Sequence, residues 1–288
     1  MCFRFLRDMS YIRRYLIAHF NMLRIIYNKF MLKKDKKFFA LLFNLKSFLH
    51  KKPLRVKWNE NHFITLDKNF PDIKYTFRNV VQGNMTYKYG LQSRADGLAR
   101  AYFLDQIDFN DKDIFLDCGA NVGDLFLYFK LKNIDISYIG FEPSPSEFEC
   151  LKRNVHPAKA YNIGLWDKSG ELDFYVSSDG ADSSLIKPIS YDSKIVVKTK
   201  RLDTIINKKI KCLKLEAEGS EPEIIDGIGN NLKYIQYITA DLGPERGERS
   251  EYTLASVTNK LLSNGFKIVD AISDRIAVLY ENENYIYR

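Results

Sequence analysis

The chain of 288 residues is poor in histidine and in cysteine, with four of each. The histidines are widely scattered, so the sequence predicts no His-rich transition-metal site. The cysteines show no C-x-x-C spacing, and two of them fall inside apolar runs that predict buried strands, which favours a reducing compartment. The sequence also contains neither a G-x-S-x-G nucleophile elbow nor a G-x-x-x-x-G-K-[ST] phosphate loop, which argues against serine hydrolases and P-loop nucleotide hydrolases.

Long uncharged apolar runs are missing from the N-terminal part of the chain. Its longest uncharged stretch, residues 15–23, has nine residues, whereas a transmembrane helix needs about 20. Arg and Lys interrupt the apolar pattern, so a secretory signal is not expected either. We therefore expect a cytoplasmic protein, with association at the inner membrane face left open.

The formal net charge of +8 is concentrated at one end of the chain. Residues 1–50 contain eleven Lys or Arg and two acids, a net +9, whereas the remaining 238 residues carry 33 basic and 34 acidic side chains. The excess of positive charge therefore belongs to an N-terminal arm, and the nearly neutral main body gives no reason to expect that it binds nucleic acid.

Aromatic and aliphatic residues recur in this arm at spacings of three and four between the basic residues, which predicts an amphipathic helix pair. Two interpretations stay open for the arm: it packs as a helical subdomain on the main body, or it docks at a membrane surface or a lipid-linked glycan through its basic face. Residues 52–85 contain Pro53, Pro71 and Gly83, which predicts short strands or loop. We accordingly expect a basic helical region and linker over 1–84 and one domain over 85–288.

From residue 94 onward, apolar strands alternate with helical patterns, which predicts a mainly parallel sheet covered on both faces. The last two strands are only a few residues apart, so they must run antiparallel. The predicted elements are helices over 95–106, 123–132, 145–154, 221–228 and 252–264, and strands over 113–117, 137–142, 158–164, 171–176, 195–200, 212–216, 235–242, 266–272 and 275–280.

The segment 117–123 (D-C-G-A-N-V-G) follows the first strand of this pattern and opens a helix. Gly119 and Gly123 allow a tight turn and a close approach of a ligand. A carboxylate at the position of Asp117 would oppose a pyrophosphate but suits a ligand with an amino group and a sulfonium. Glu142, 25 positions further on, ends the next strand and could hold two ribose hydroxyls. These residues favour S-adenosylmethionine over NAD, and NAD binding or a crevice without a ligand remain alternatives.

Three separately placed motifs carry a family resemblance: residues 116–123 (L-D-C-G-A-N-V-G), 140–143 (G-F-E-P) and 213–221 (L-K-L-E-A-E-G-S-E). Together they resemble the FkbM family of methyltransferases over roughly residues 90–280. The resemblance implies a class I methyltransferase fold, with a Rossmann-like, mostly parallel sheet and an antiparallel last strand. It also implies S-adenosylmethionine as cofactor and O-methylation of a small-molecule or glycan acceptor, commonly a sugar or polyketide hydroxyl.

The same resemblance implies a set of cofactor contacts. The residues concerned are Asp117, Gly119, Ala120, Asn121, Gly123, Glu142, Asn162 and Gly164. Glu216 stands where the family usually has Asp, which shifts the carboxylate by about a bond length or more and puts a base or metal role there in question.

Methyl transfer to an alcohol needs an aligned hydroxyl and a group that accepts its proton. Glu216, Glu218 and Asp241 end strands at the sheet edge where such a group would lie, so they are the candidate catalytic residues. Structural roles in turns remain alternatives for Glu218 and Asp241, and the three carboxylates could also hold magnesium, although no metal is assigned. Glu147 and Glu223 fit capping boxes instead.

The sequence thus predicts an S-adenosylmethionine-dependent O-methyltransferase acting on a sugar or glycan precursor. Two alternatives stay open: a non-catalytic relative that binds without turnover, and an NAD-dependent oxidoreductase, which should show a third Gly near position 124.

Overall fold

The structure is a computed structural model that describes residues 35–177 and 182–285. The first part of the predicted helix pair, residues 1–34, lies outside the described residues. The helices are α1 Lys36–Leu49, α2 Val80–Thr86, α3 Leu91–Ala101, α4 Phe126–Lys132, α5 Pro145–Val155, α6 Glu221–Ile228 and α7 Leu254–Ser263, with short 3-10 turns at Leu104–Gln106, Leu202–Thr204 and Gly229–Tyr234. The strands are β1 Leu54–Asn59, β2 His62–Asp67, β3 Thr76–Phe77, β4 Ile114–Cys118, β5 Ser137–Phe141, β6 Lys159–Tyr161, β7 Gly164–Leu165, β8 Gly170–Val176, β9 Ser193–Lys200, β10 Ile210–Leu215, β11 Ile235–Asp241, β12 Phe266–Ile272 and β13 Ala277–Asn282.

A seven-stranded sheet with the order β12-β13-β11-β10-β4-β5-β6 forms the centre of the molecule. Strands β6, β5, β4, β10 and β11 run parallel, and β13 is antiparallel to both of its neighbours. The strand order reverses between β4 and β10, so the carboxyl ends of these strands border a crevice. The predicted fold class, a mostly parallel class I methyltransferase sheet with an antiparallel last strand, is confirmed.

The predicted strand over 158–164 is divided between two sheets. Its first part is β6 at the edge of the central sheet, and its end is β7, which joins β8 and β9 in a separate three-stranded sheet. The chain bends at Asn162, whose side-chain amide donates to the carbonyls of Glu142 (2.8 Å) and Pro143 (2.9 Å). The continuous apolar pattern gave no sign of this break, because a side-chain contact to another strand end causes it.

Residues 52–85 are more regular than expected. They form the antiparallel sheet β1-β2-β3 and the helix α2. A chain of aromatic contacts connects Phe39 of α1 through Phe63 and Phe77 to Tyr87, with ring centroids 5.0–5.1 Å apart. The domain boundary at 84/85 stays a prediction, and the hydrophobic cluster of this region also includes Phe115 of β4.

Side-chain hydrogen bonds fasten this N-terminal sheet to the loop after β4. The hydroxyl of Tyr75 donates to the carbonyl of Gly123 (3.0 Å). The amide group of Asn154 in α5 accepts from the backbone of Thr76 (2.7 Å) and donates to the carbonyl of Val122 (2.7 Å). These groups are buried, so each bond satisfies a polar atom that water does not reach. The N-terminal region therefore supports the loop from behind.

The two predicted capping boxes are wrong in detail. Ser144 and Ser220 occupy the N-cap positions, but neither side chain accepts a first-turn amide. The hydroxyl of Ser144 instead donates to the carboxylate of Glu147. At α6 the capping carboxylate is Glu221, which accepts two backbone amides from the preceding turn, whereas Glu223 forms a two-bond ion pair with an arginine. The motif spacing cannot predict these partners, because Glu221 and Glu223 lie in the same turn and the arginine that pairs with Glu223 is Arg246, 23 residues further on.

Candidate active site

A cavity of about 580 Å³ opens at the carboxyl ends of β4, β5 and β10, where the strand order of the sheet reverses. This volume lies in the range of small-molecule sites. We call its side formed by Gly119, Asn121 and Glu142 the β4–β5 half, and its side formed by Lys214, Glu216 and Arg275 the β10–β11 half.

The loop after β4 forms the floor of the cavity. Gly119 has a φ of +68°, and a Cβ there would lie 1.8 Å from the carbonyl oxygen of Glu216. A side chain is therefore excluded where this loop passes the end of β10. Gly123 has a φ of +83°, and its Cβ would meet Leu151 and Val155 of α5 at 2.8 Å. Gly123 thus packs the loop against a helix and does not line the cavity, whereas Gly119 and its neighbours do.

Glu142 directly follows β5 and faces the cavity with only 7% of its surface exposed. Its Oε2 accepts from the amide of Asn121 and its Oε1 from the amide of Ser144, both at 2.8 Å. Burial raises the pKa of Glu142 to about 7, although the two amides act in the opposite direction. A carboxylate has about four acceptor positions, so Glu142 can still accept hydrogen bonds from two hydroxyl groups of a ligand.

Asp117 lines the same cavity but is almost completely buried. Its carboxylate accepts a hydrogen bond from the hydroxyl of Tyr138 (2.6 Å) and lies 3.2 Å from Nζ of Lys214. Burial raises the pKa of Asp117, and Lys214 and Tyr138 oppose this rise. The carboxylate is therefore engaged inside the sheet, below the surface that a ligand would touch.

Lys214 of β10 connects the two halves of the site. Its Nζ donates to the carbonyls of Gly119 (2.7 Å) and Cys118 (3.0 Å) and lies 3.1 Å from the carboxylate of Glu216. Burial alone would lower the pKa of Lys214, but the carboxylates of Asp117 and Glu216 raise it above its ordinary value. Lys214 is therefore a buried cation that holds the loop after β4 against the end of β10.

Glu216 lines the cavity between two cations, Lys214 and Arg275. Burial raises its pKa, but these cations more than reverse the effect and lower it to about 2. Arg275, in the turn between β12 and β13, also donates to Asp241 (2.5 Å) and to the hydroxyl of Tyr102 (2.6 Å). Asp241 is 3% exposed and does not line the cavity, so it acts on the site only through Arg275.

Glu218 also lines the cavity, at a backbone position with a φ of +50°. Burial and the neighbouring carboxylate of Glu245 raise the pKa of Glu218 well above its usual range. Among the residues the structure describes, its carboxyl group has no hydrogen bond or ion pair. Glu218 is therefore the predicted catalytic residue whose side chain remains available to a ligand.

The remaining predicted cofactor contacts fall into two groups. Ala120, Asn121 and Gly164 line the cavity. Asn162 is exposed and holds the bend after β6, away from the cavity wall. The idea of a magnesium site on the three strand-end carboxylates is not supported: within 35–177 and 182–285, no group of three or more His, Cys, Asp or Glu residues is placed to hold a metal. Lys214 and Arg275 already neutralise two of the three carboxylates.

Sequence reasoning missed one wall of the cavity. Gln82 of α2 donates to the side-chain oxygen of Asn121 (3.0 Å), and Arg94 of α3 pairs with Asp124 (2.8 Å). Tyr102 and Arg275, which also line the cavity, were missed as well. No local motif marks these residues, because each joins the site through a partner far away in the sequence.

The charges of the cavity distinguish between cofactors. Seven acidic and three basic side chains line it. This balance favours a ligand that carries an ammonium and a sulfonium, and it disfavours a pyrophosphate. Together with the free acceptor positions of Glu142, the residues present fit S-adenosylmethionine.

The sheet order and the site define a class I methyltransferase with S-adenosylmethionine as its cofactor. The chain belongs to the methyltransferase FkbM domain family, whose model matches residues 117–268. Among the residues the structure describes, no helix has both the length and the apolar character needed to cross a membrane.

Several known proteins are similar to the chain. Methyltransferase 1 of Beauveria bassiana is 25% identical over 194 residues, which cover 57% of this chain and 76% of that protein. The hexuronic acid methyltransferase AglP of Haloferax volcanii is 25% identical over 140 residues, 46% of this chain and 56% of that protein. The crystal structure of an FkbM methyltransferase from Methylobacillus flagellatus KT matches with a TM-score of 0.43 and 18% identity, over 62% of this chain and 45% of that one. The chain thus spans about half the length of the latter two proteins.

Proposed function

We propose that this protein transfers a methyl group from S-adenosylmethionine to a hydroxyl group of a sugar or glycan precursor. One observation carries the proposal: Glu142, which can accept hydrogen bonds from the ribose hydroxyls, and Glu218, whose carboxyl group is unpaired, line the same cavity. A carbohydrate acceptor is supported by the family resemblance and by the similarity to a hexuronic acid methyltransferase.

In this proposal the β4–β5 half holds the cofactor. Glu142 accepts the two ribose hydroxyls, and Gly119, Ala120 and Asn121 border the methionine end. Gly164 lies at the adenine end of the cavity. When bound, S-adenosylmethionine supplies an electrophilic methyl group on a positively charged sulfur. Asp117 acts indirectly, because its carboxylate fixes Lys214 and Lys214 fixes the carbonyls of the loop.

Glu218 is the proposed proton acceptor for the hydroxyl group. Glu216 is a poor base, since its pKa of about 2 means that it holds a proton weakly. Asp241 does not reach the cavity and positions Arg275. The pKa of Glu218 is raised in the protein alone, and a positive charge held in the cavity lowers it toward neutrality. Glu218 then ionises where a base is needed, beside the bound cation.

Glu218→Gln tests this assignment. We expect cofactor affinity, measured by calorimetry, to change less than about threefold and turnover on a panel of sugars and uronic acids to fall about 100-fold or more. Glu248→Gln, a change at an exposed carboxylate in a surface ion pair with Lys187, is the matched control and should leave both quantities unchanged.

Two results would contradict the proposal. Cofactor binding without turnover on every acceptor would favour a non-catalytic binding protein. Binding of NAD in preference to S-adenosylmethionine would favour an oxidoreductase instead.

A further inference from the structure

Helix α1 exposes a stripe of large apolar side chains. Leu41, Leu45, Phe48 and Leu49 are 63%, 52%, 70% and 68% exposed. Their spacing of four, three and one places them on one face of the helix. We call these four residues the α1 stripe.

The α1 stripe is not needed to attach the helix to the protein. The opposite face of α1 already packs into the core through Phe39, Ala40 and Phe43, which are nearly inaccessible. Monomeric soluble proteins rarely leave contiguous apolar patches of this kind uncovered, and such patches commonly mark interaction surfaces. The α1 stripe is therefore a candidate interaction surface for a partner outside the described fold.

The charges around the α1 stripe show which partner fits. Residues 36–59 contain seven Lys or Arg and no Asp or Glu. Lys37, Lys46 and Lys51 are exposed, and Nζ of Lys52 lies 4.6 Å from the ring centroid of the exposed Tyr89. An apolar face bordered by lysines and an aromatic side chain is the composition of helices that lie in the surface of an anionic bilayer.

Other occupants fit less well. A second copy of the chain placed on the α1 stripe would bring two lysine-rich surfaces together, and like charges across an interface are costly. Residues 1–34 carry eight Lys or Arg and one Asp, so covering the stripe with this segment would meet the same repulsion. Anionic lipid headgroups offer the opposite charge to the lysines and an apolar layer to the stripe.

We propose that the α1 stripe and its flanking lysines bind the surface of an anionic lipid bilayer, with α1 lying in the plane of the interface. The helix packs against α2, whose residues Gln82 and Met85 line the cavity. The bilayer would thus lie on the side of the molecule that carries the N-terminal wall of the site. This inference does not depend on the reaction proposed above.

Sedimentation of the full-length chain with vesicles tests the proposal. We expect binding to vesicles of equal parts phosphatidylglycerol and phosphatidylcholine, and little binding to phosphatidylcholine alone. The double variant Leu45→Glu and Phe48→Glu should lower the partition coefficient at least about tenfold. Val196→Glu, at an exposed apolar residue of β9, is the matched control and should bind like the unaltered chain, and thermal unfolding confirms that all variants are folded.

Three outcomes would overturn the proposal. The double variant could bind vesicles as well as the unaltered chain, while Arg13→Gln with Arg14→Gln abolishes binding, which would assign the contact to residues 1–34. The chain could bind equally well to vesicles with and without phosphatidylglycerol, which would show that the lysines do not contribute to binding. The unaltered chain could ignore vesicles and form a dimer that the double variant dissociates, which would identify a second copy as the partner.

Discussion

The two halves of the cavity hold their carboxylates by different means. In the β4–β5 half, Glu142 is held by backbone amides from loops directly attached to its own sheet edge. In the β10–β11 half, Glu216 is held by the side chains of Lys214 and Arg275. A carboxylate held by backbone amides keeps its environment when neighbouring side chains change. One held by side-chain cations depends on each of them, so the β10–β11 half should be the more sensitive to substitution.

The largest effect is expected for Lys214→Met. This change leaves the carboxylates of Asp117 and Glu216 without their shared buried cation, and the loss of one partner of a buried ion pair costs about 3–5 kcal/mol. The free energy of unfolding, measured by urea denaturation, should fall by this amount. Lys214→Arg keeps the charge and should lose less. If Lys214→Met were as stable as the unaltered protein, the interpretation of Lys214 as the central cation would be wrong.

Arg275→Gln should have the next largest effect. Asp241 is buried and loses its hydrogen-bonded counterion, so we expect the unfolding free energy at pH 8 to fall by about 2–3 kcal/mol.

The acid dependence of stability should change in the same variant. In the unaltered protein the pKa of Glu216 is lowered from 4.5 to about 2, so its ionised form contributes stability above pH 4.5 that is lost as the pH falls toward 2. Without Arg275 this pKa rises, so the variant should lose less stability between pH 4.5 and 2. An equally steep acid dependence would show that Arg275 does not act on Glu216.

A smaller effect, confined to ligand binding, is expected in the β4–β5 half. The pKa of Glu142 is raised to about 7, and its ionised form is the one that accepts hydroxyl groups. In Glu218→Gln, where the ionisation of Glu218 no longer contributes, affinity for S-adenosylmethionine should therefore be constant above pH 7 and fall by up to about tenfold per pH unit below it. Calorimetry between pH 5.5 and 8.5 would measure this dependence, which the further change Glu142→Gln should remove. A flat profile for Glu218→Gln would contradict a ribose role for Glu142.

The smallest effect is expected for Asn162→Ala. Asn162 lies outside the cavity and only holds the bend after β6, so we expect a loss of about 1 kcal/mol in unfolding free energy and little change in cofactor affinity. A large loss of cofactor affinity would show instead that Asn162 contacts the cofactor, as the family resemblance implied.

The same difference explains what could be predicted from the sequence. Strand and helix periodicity predicted the central sheet, and the short motif around Gly119 predicted the floor of the cavity, because these features depend on neighbours along the chain. The pairing of Lys214 with Asp117 spans almost a hundred residues, and the contact of Arg275 with Tyr102 spans 173. Such partners meet only in the folded sheet, so no local pattern records them.

The capping carboxylates and the division of the strand over 158–164 were mispredicted for a related reason. Glu221 and Glu223 are both within reach of the first turn of α6, and spacing alone cannot choose between them. Asn162 ends β6 by bonding to carbonyls of a different segment. In both cases tertiary hydrogen bonds decided between locally equivalent arrangements.

S-adenosylmethionine should bind in the acid-rich cavity that Glu142 lines. Calorimetric titration of the full-length chain with S-adenosylmethionine and with NAD at pH 8, repeated on Glu142→Gln, tests it directly. We expect that S-adenosylmethionine binds to a single site, that NAD binds at least about 100-fold more weakly, and that Glu142→Gln weakens only the binding of S-adenosylmethionine. Equal or tighter binding of NAD, or unchanged S-adenosylmethionine affinity in Glu142→Gln, would contradict it.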